Sequence, residues 1–74
     1  MRMNKLNELL KDEYELRAGV PDSRYSGSYT LYKRYDLYND GTMMQLPGAY
    51  GATIETFTTV TEAAEYAKQE NLLK

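Results

Sequence analysis

Apolar and polar positions alternate most regularly over residues 28–38, SYTLYKRYDLY. In an extended chain Tyr29, Leu31, Lys33, Tyr35 and Leu37 point one way, and Thr30, Tyr32, Arg34, Asp36 and Tyr38 the other. Tyr, Thr and Leu suit a pleated, half-buried backbone, and Asn39-Asp40-Gly41 follows as a turn in which Gly41 can adopt positive φ. The pattern predicts a long β-hairpin over Arg24 to Leu46, with the Tyr29 set facing the core and Lys33 as its misfit, reaching out to solvent or standing at a bulge. A helix is the competing reading, because Tyr25, Tyr29, Tyr32 and Asp36 would share one helical face. Gly27, the neighbouring serines and the Asp-Gly turn favour the strand. Two registers are open. A two- or four-residue loop pairs Leu37 with Met44, Asp36 with Gln45 and Tyr35 with Leu46, and is preferred because it sends Met44 and Leu46 to the core. A three-residue loop with a bulge at Gly41 shifts each partner by one and exchanges its face.

The flanking segments supply further elements. Asn4 is a candidate N-cap for a helix carrying Leu6, Leu9 and Leu10. Extending that helix to Gly19-Val20-Pro21 would place Glu13 and Arg17 in its apolar stripe. Ending it near Asp12 lets Tyr14, Leu16 and Ala18 alternate with Glu15 and Arg17 as a short strand, which is the favoured reading. Residues 47–51, PGAYG, read as a flexible loop before a last strand over Thr53 to Thr58. Strict alternation there sets Ile54 and Phe57 on opposite faces, so one of them must be exposed, bulged or packed on a helix. Thr59-Val60-Thr61-Glu62 forms a capping box, and Val60, Ala63, Ala64 and Ala67 make a small-residue stripe able to lie close on a sheet. The fold class expected is α+β: a single small domain, residues 1–74, with three to four antiparallel strands built on the central hairpin and the order α-β-β-β-β-α. With both helices on one face, the other face of the sheet stays partly open.

Composition narrows the chemistry. The 74 residues include neither cysteine nor histidine, which removes disulfides and every zinc site that needs those ligands. Nine basic and eleven acidic residues give a net charge of −2, too little to steer the chain to a polyanion. No apolar run reaches membrane-spanning length and the opening MRMNKLNELLKDE lacks a signal peptide's hydrophobic segment, so a soluble, cytoplasmic protein is expected. Among eleven carboxylates none is marked out as a general acid or base, and Ser23, Ser26 and Ser28 read as loop serines. The calcium-loop pattern fails at Asp36–Gly41 because Tyr38 takes a ligand position and Pro47 replaces the bidentate glutamate. Gly48-Ala49-Tyr50-Gly51 matches a bare GxxG spacing but lies between strands without basic neighbours, unlike an RNA-binding KH loop. No catalytic residue, cofactor or metal is therefore expected.

What remains is an aromatic and basic cluster, from which Tyr25, Tyr32, Arg34, Asp36 and Tyr38 are the expected partner-binding residues. Tyr and Arg are common anchors of protein interfaces, which points to a non-enzymatic protein-interaction module with a larger protein partner. A second copy joined through a sheet edge is a compatible partner. Small chains without catalytic groups are common among phage and mobile-element accessory proteins, and the expectation extends to an inhibitor of a host defence protein, such as an anti-CRISPR. The alternative is single-stranded nucleic acid stacked on Tyr32, Arg34 and Tyr38, disfavoured by the scarcity of cations and the negative total.

Overall fold

A computed structural model describes residues 1–22 and 24–74; of the loop serines, Ser23 lies outside the described residues. The chain runs α1 (Met3–Leu9), β1 (Tyr14–Ala18), β2 (Tyr29–Lys33), β3 (Tyr35–Leu37), β4 (Met43–Gln45), β5 (Ala52–Phe57) and α2 (Val60–Gln69), an α+β fold. Strands β1-β2-β5 form a three-stranded antiparallel sheet, and β3-β4 form a separate two-stranded hairpin. The long first arm is thus two strands divided at Arg34. Its N–H donates to Glu13 O at 2.7 Å, and its carbonyl accepts Leu46 N–H at 3.0 Å.

One face of the larger sheet carries the core. Leu16 pairs with Leu31, and Tyr29 with Phe57, placing all four under the helices. Leu6 and Leu10 from the N-terminal segment and Val60, Ala63 and Ala67 from α2 close the cluster. The capping box forms at its first bond, with Glu62 N–H donating to Thr59 Oγ1 at 3.2 Å. The Glu62 carboxylate reaches back to Thr58 N–H, one residue before the N-cap. At the other helix the N-cap is Arg2, without a side-chain cap, and Asn4 lies inside the first turn. The C-terminal residues are tied to the N-terminal segment: Leu72 O accepts Lys11 N–H and Lys74 N–H donates to Leu9 O, both at 2.8 Å.

The strand reading of residues 14–18 holds, and its outer edge is closed in an unusual way. Asn7 donates its Nδ2–H to Leu16 O at 2.9 Å and accepts Leu16 N–H at Oδ1 at 2.8 Å. A carboxamide thereby replaces a neighbouring strand. On the opposite edge, the ladder slips between Leu31↔Glu55 and Tyr32↔Thr53, leaving Ile54 as the extra residue of a bulge. Phe57 keeps its place in the core while Ile54 stays 36% exposed, which resolves their conflict. Lys33, on the helix side, reaches Asp36 at 3.2 Å and passes 5.8 Å from the Tyr14 ring. That partner holds the ammonium in its charged form and raises its pKa.

The preferred hairpin register is corrected. Leu37 pairs with Met43, Asp36 with Met44 and Tyr35 with Gln45, the arrangement of a three-residue loop. Gly41 takes φ +88 and donates its N–H to Tyr38 O, while Tyr38 N–H bonds Thr42 O at 2.9 Å. Asp40 completes the turn by accepting both Thr42 N–H (3.0 Å) and Thr42 Oγ1–H (2.6 Å). These local bonds select the bulged loop, and the hydrophobic gain that favoured the other register is absent because Met44 and Leu37 are both outside the core.

Leu31→Ala is expected to cost about 2–5 kcal/mol, since Leu31 is fully buried between both helices and its strand neighbours. Ile54→Ala at the bulge should stay within about 1 kcal/mol. Paired urea unfolding curves check the contrast.

Candidate functional site

The sheet face opposite the helices is built from Glu15 and Arg17 of β1, Thr30 and Tyr32 of β2, and Thr53 and Thr56 of β5, joined as cross-strand partners. It is not left open. Leu46 is bonded to Arg34, and Ala52 pairs with the adjacent Lys33, so residues 47–51 leave the hairpin and enter the larger sheet beside neighbouring residues of the strand line. This excursion folds back over the face instead of serving as a plain connector. It sets the Tyr50 ring 5.6 Å from Tyr32 at a 54° tilt, and the Arg17 guanidinium 3.9 Å above Tyr50. Such stacked pairs and cation–π contacts contribute on the order of 0.5–1.5 kcal/mol each. Glu15 holds the other side of Arg17 at 2.5 Å.

The neck of the excursion explains its glycine. A Cβ on Gly51 would stand 2.2 Å from Lys33 O and 2.7 Å from Arg34 Cα, and its φ is +100. Only a residue without a side chain lets the returning backbone press against β2. Beside the excursion lies an open cleft of about 400 Å³, lined by Val20, Pro21, Tyr32, Tyr50 and Thr53 among others. It is shallow and lacks any converging set of charged groups.

The expected site residues are dispersed. Tyr32 faces away from the helices as the alternation implies, yet it is only 8% exposed because Tyr50 covers it. The expectation of an outward-displayed Tyr32 is corrected on that ground. Tyr25 is exposed in the turn before β2, beside Arg24, whose guanidinium binds Asp22 at 2.8 Å and lowers that carboxyl's pKa. Arg34, Asp36 and Tyr38 lie at the far end of the same strand line. Arg34 is engaged by the Glu15 carboxylate at 3.7 Å and by Asp12 O. Asp36 is paired with Lys33, and the Tyr38 hydroxyl donates to Met44 Sδ at 3.7 Å. Tyr32, Arg34 and Tyr38 therefore do not form one open stacking face.

What does converge is the β3-β4 hairpin. Leu37 is 57% exposed, Met43 64% and Met44 57%, with Tyr38 beside them. Tyr35, Leu37, Met43 and Gln45 share one face; Asp36 and Met44 share the other. Clefts flank the first face, one lined by Arg34, Tyr35, Met43 and Gln45, the other by Lys11, Asp12, Glu13, Tyr35, Leu37 and Lys74. Leu37 was expected in the core and is instead displayed. Met43 and Met44 carried no sequence signal beyond the register alternative that moved them, and Tyr50 none beyond its flanking glycines.

Comparison of the chain with protein-family models, curated proteins and solved structures finds no significant match. No helix among the described residues is long and apolar enough to cross a membrane.

Two outcomes follow from this geometry. Gly41→Ala meets open space and should cost only its positive φ, about 1–3 kcal/mol, whereas Gly51→Ala adds a backbone clash and should destabilise more. Thermal unfolding of the two variants ranks them. The Asp40 carboxyl is held below its ordinary value by the Thr42 hydroxyl and N–H. Because the folded value is depressed, the turn's support is present above the ordinary carboxylate range and lost as pH falls through the folded value. An NMR titration should place the Asp40 midpoint below that of free aspartate, and Thr42→Val should raise it.

Proposed function

We propose that the chain is a non-enzymatic protein-interaction module that presents the β3-β4 hairpin to a larger protein. The observation that carries this reading is the concentration of Leu37 and Met43, each more than half exposed and cross-strand partners on one face, on an element that pairs with no strand of the larger sheet. Methionine and leucine in water are a cost to solubility unless something covers them, and unbranched methionines adapt to irregular partner surfaces. The face made by Tyr35, Leu37, Met43 and Gln45 is the docking surface, with Arg34 and Lys33-paired Asp36 as its polar rim. Tyr38 adds an aromatic group at the turn end. Inhibition of a larger host protein, as by a phage or mobile-element accessory factor, is one form of this reading. Occluding a surface requires contact area and no reacting group. Nucleic acid is less supported, because the Arg34 guanidinium is already engaged by Glu15 and Asp12.

The double variant Leu37→Asp/Met43→Asp tests the reading. Immobilised wild type is expected to retain a specific protein from a lysate of the source organism, and the variant to lose that capture at least about tenfold. Its denaturation midpoint should move little, since both side chains are outside the core. Undiminished capture by the folded double variant overturns the assignment.

A further inference from the structure

Among the described residues the sheet edges are guarded with one exception. On β1 the Asn7 carboxamide occupies both backbone groups of Leu16. On β5 the bulge at Ile54 breaks the edge, and the Glu55 carboxylate already accepts Thr56 N–H at 3.0 Å. The edge of β3 runs beside Lys11, Asp12, Glu13 and Lys74, charges that discourage an incoming strand, with Lys74 and Asp12 paired at 3.4 Å. Strand β4 has none of these devices. Residues 42–46, TMMQL, carry no charge, no proline and no bulge.

The hydrogen-bond phase of the hairpin fixes what this edge offers. Tyr38 N–H bonds Thr42 O, and Leu46 N–H bonds Arg34 O, so even-numbered residues of β4 turn their backbone groups inward to β3. Antiparallel alternation then turns the N–H and C=O of Met43 and Gln45 outward. An antiparallel copy of the same segment, placed about a two-fold axis at Met44, sets Met43 opposite Gln45 of the copy and Gln45 opposite its Met43. Each such pair exchanges two hydrogen bonds, so every outward group of both strands is satisfied. No like charges meet, because the segment holds none. Met44 meets its own counterpart in the close, non-hydrogen-bonded position, where side chains touch most directly.

We infer that β4 pairs edge to edge with β4 of a second copy of this chain, about a two-fold axis through Met44, to give a four-stranded β3-β4-β4-β3 sheet. The occupant is a second copy because the edge is complementary to itself in both hydrogen bonding and charge. Three residues a side make a small contact, well below the roughly 800 Å² per partner of a standard interface, so the dimer is reversible and concentration-dependent. It also doubles the apolar face formed by Tyr35, Leu37 and Met43. This inference goes beyond the proposed function and rests on the backbone edge of β4, whereas that function rests on the hairpin's face.

Sedimentation equilibrium of the full chain from about 10 μM to about 1 mM tests it, with Met44→Lys and Met44→Glu run separately and mixed in equal amounts. Circular dichroism confirms that each variant is folded. Wild type is expected to rise in mass-average from 8.5 kDa toward twice that value. Each variant alone should remain at 8.5 kDa, since it would oppose like charges across the axis. The mixture should regain association, because lysine then faces glutamate. A wild type that stays monomeric throughout overturns the inference and leaves the edge to a strand of a different protein. Association of either variant alone, or no recovery on mixing, also overturns it by moving the contact away from Met44. Neither result touches Leu37 or Met43, so the fate of the docking-face proposal is read separately in the capture experiment.

Discussion

A mismatch of lengths governs this molecule. The strand line from Tyr29 to Leu37 spans nine residues, about 30 Å when extended, while α2 with its ten residues is about 15 Å long. Helices so short can roof only the three-stranded portion. The remainder of the line must either end or project, and it projects, contributing to a longest dimension of 36 Å against 25 and 19 Å across. Tyr29 and Leu31 are therefore core residues, and Leu37, with the same parity on the same line, is not. The distinction comes from where the roof stops and not from the side chains themselves.

The same mismatch marks the boundary of what could be read without coordinates. Local rules carried the helix at Val60, because capping chemistry and small-residue spacing are contained within a few neighbours. They carried the strand at Tyr14 for the same reason, and they identified Ile54 and Phe57 as incompatible under plain alternation. They failed where long-range geometry decides. Leu37 and Tyr32 have the parity expected of them, yet one is displayed and the other covered, because helix length and the path of residues 47–51 set their surroundings. The hairpin register went to the bulged loop because Asp40 and Gly41 bond locally, a preference that outweighs burial once burial is not on offer. Tyr50 was illegible: nothing in PGAYG says that the segment doubles back onto Tyr32 and Arg17.

The proposed function rests on the division of the molecule into a closed part and an open one. Both faces of β2 are covered, by helices on one side and by Tyr50 with Arg17 on the other, so Thr30, Leu31 and Tyr32 are all buried. The ionic groups near Arg34 are tied to one another across the junction. Beyond that junction the surface changes character within a few residues, from threonine and paired charge to methionine, leucine and tyrosine. A closed base and an exposed arm are what the proposed occluding role would use.

Residues 47–51 depart beside Arg34 and return beside Lys33, neighbouring residues of one strand line, so exchange of the side chains between them would leave the alignment of the strands on either side unchanged. That makes the segment a cassette: its contents can drift or be exchanged while the frame around it keeps step, provided the closing glycine is retained. A lineage could alter what covers the second face without refolding the first. An engineer could splice a foreign recognition loop there for the same reason.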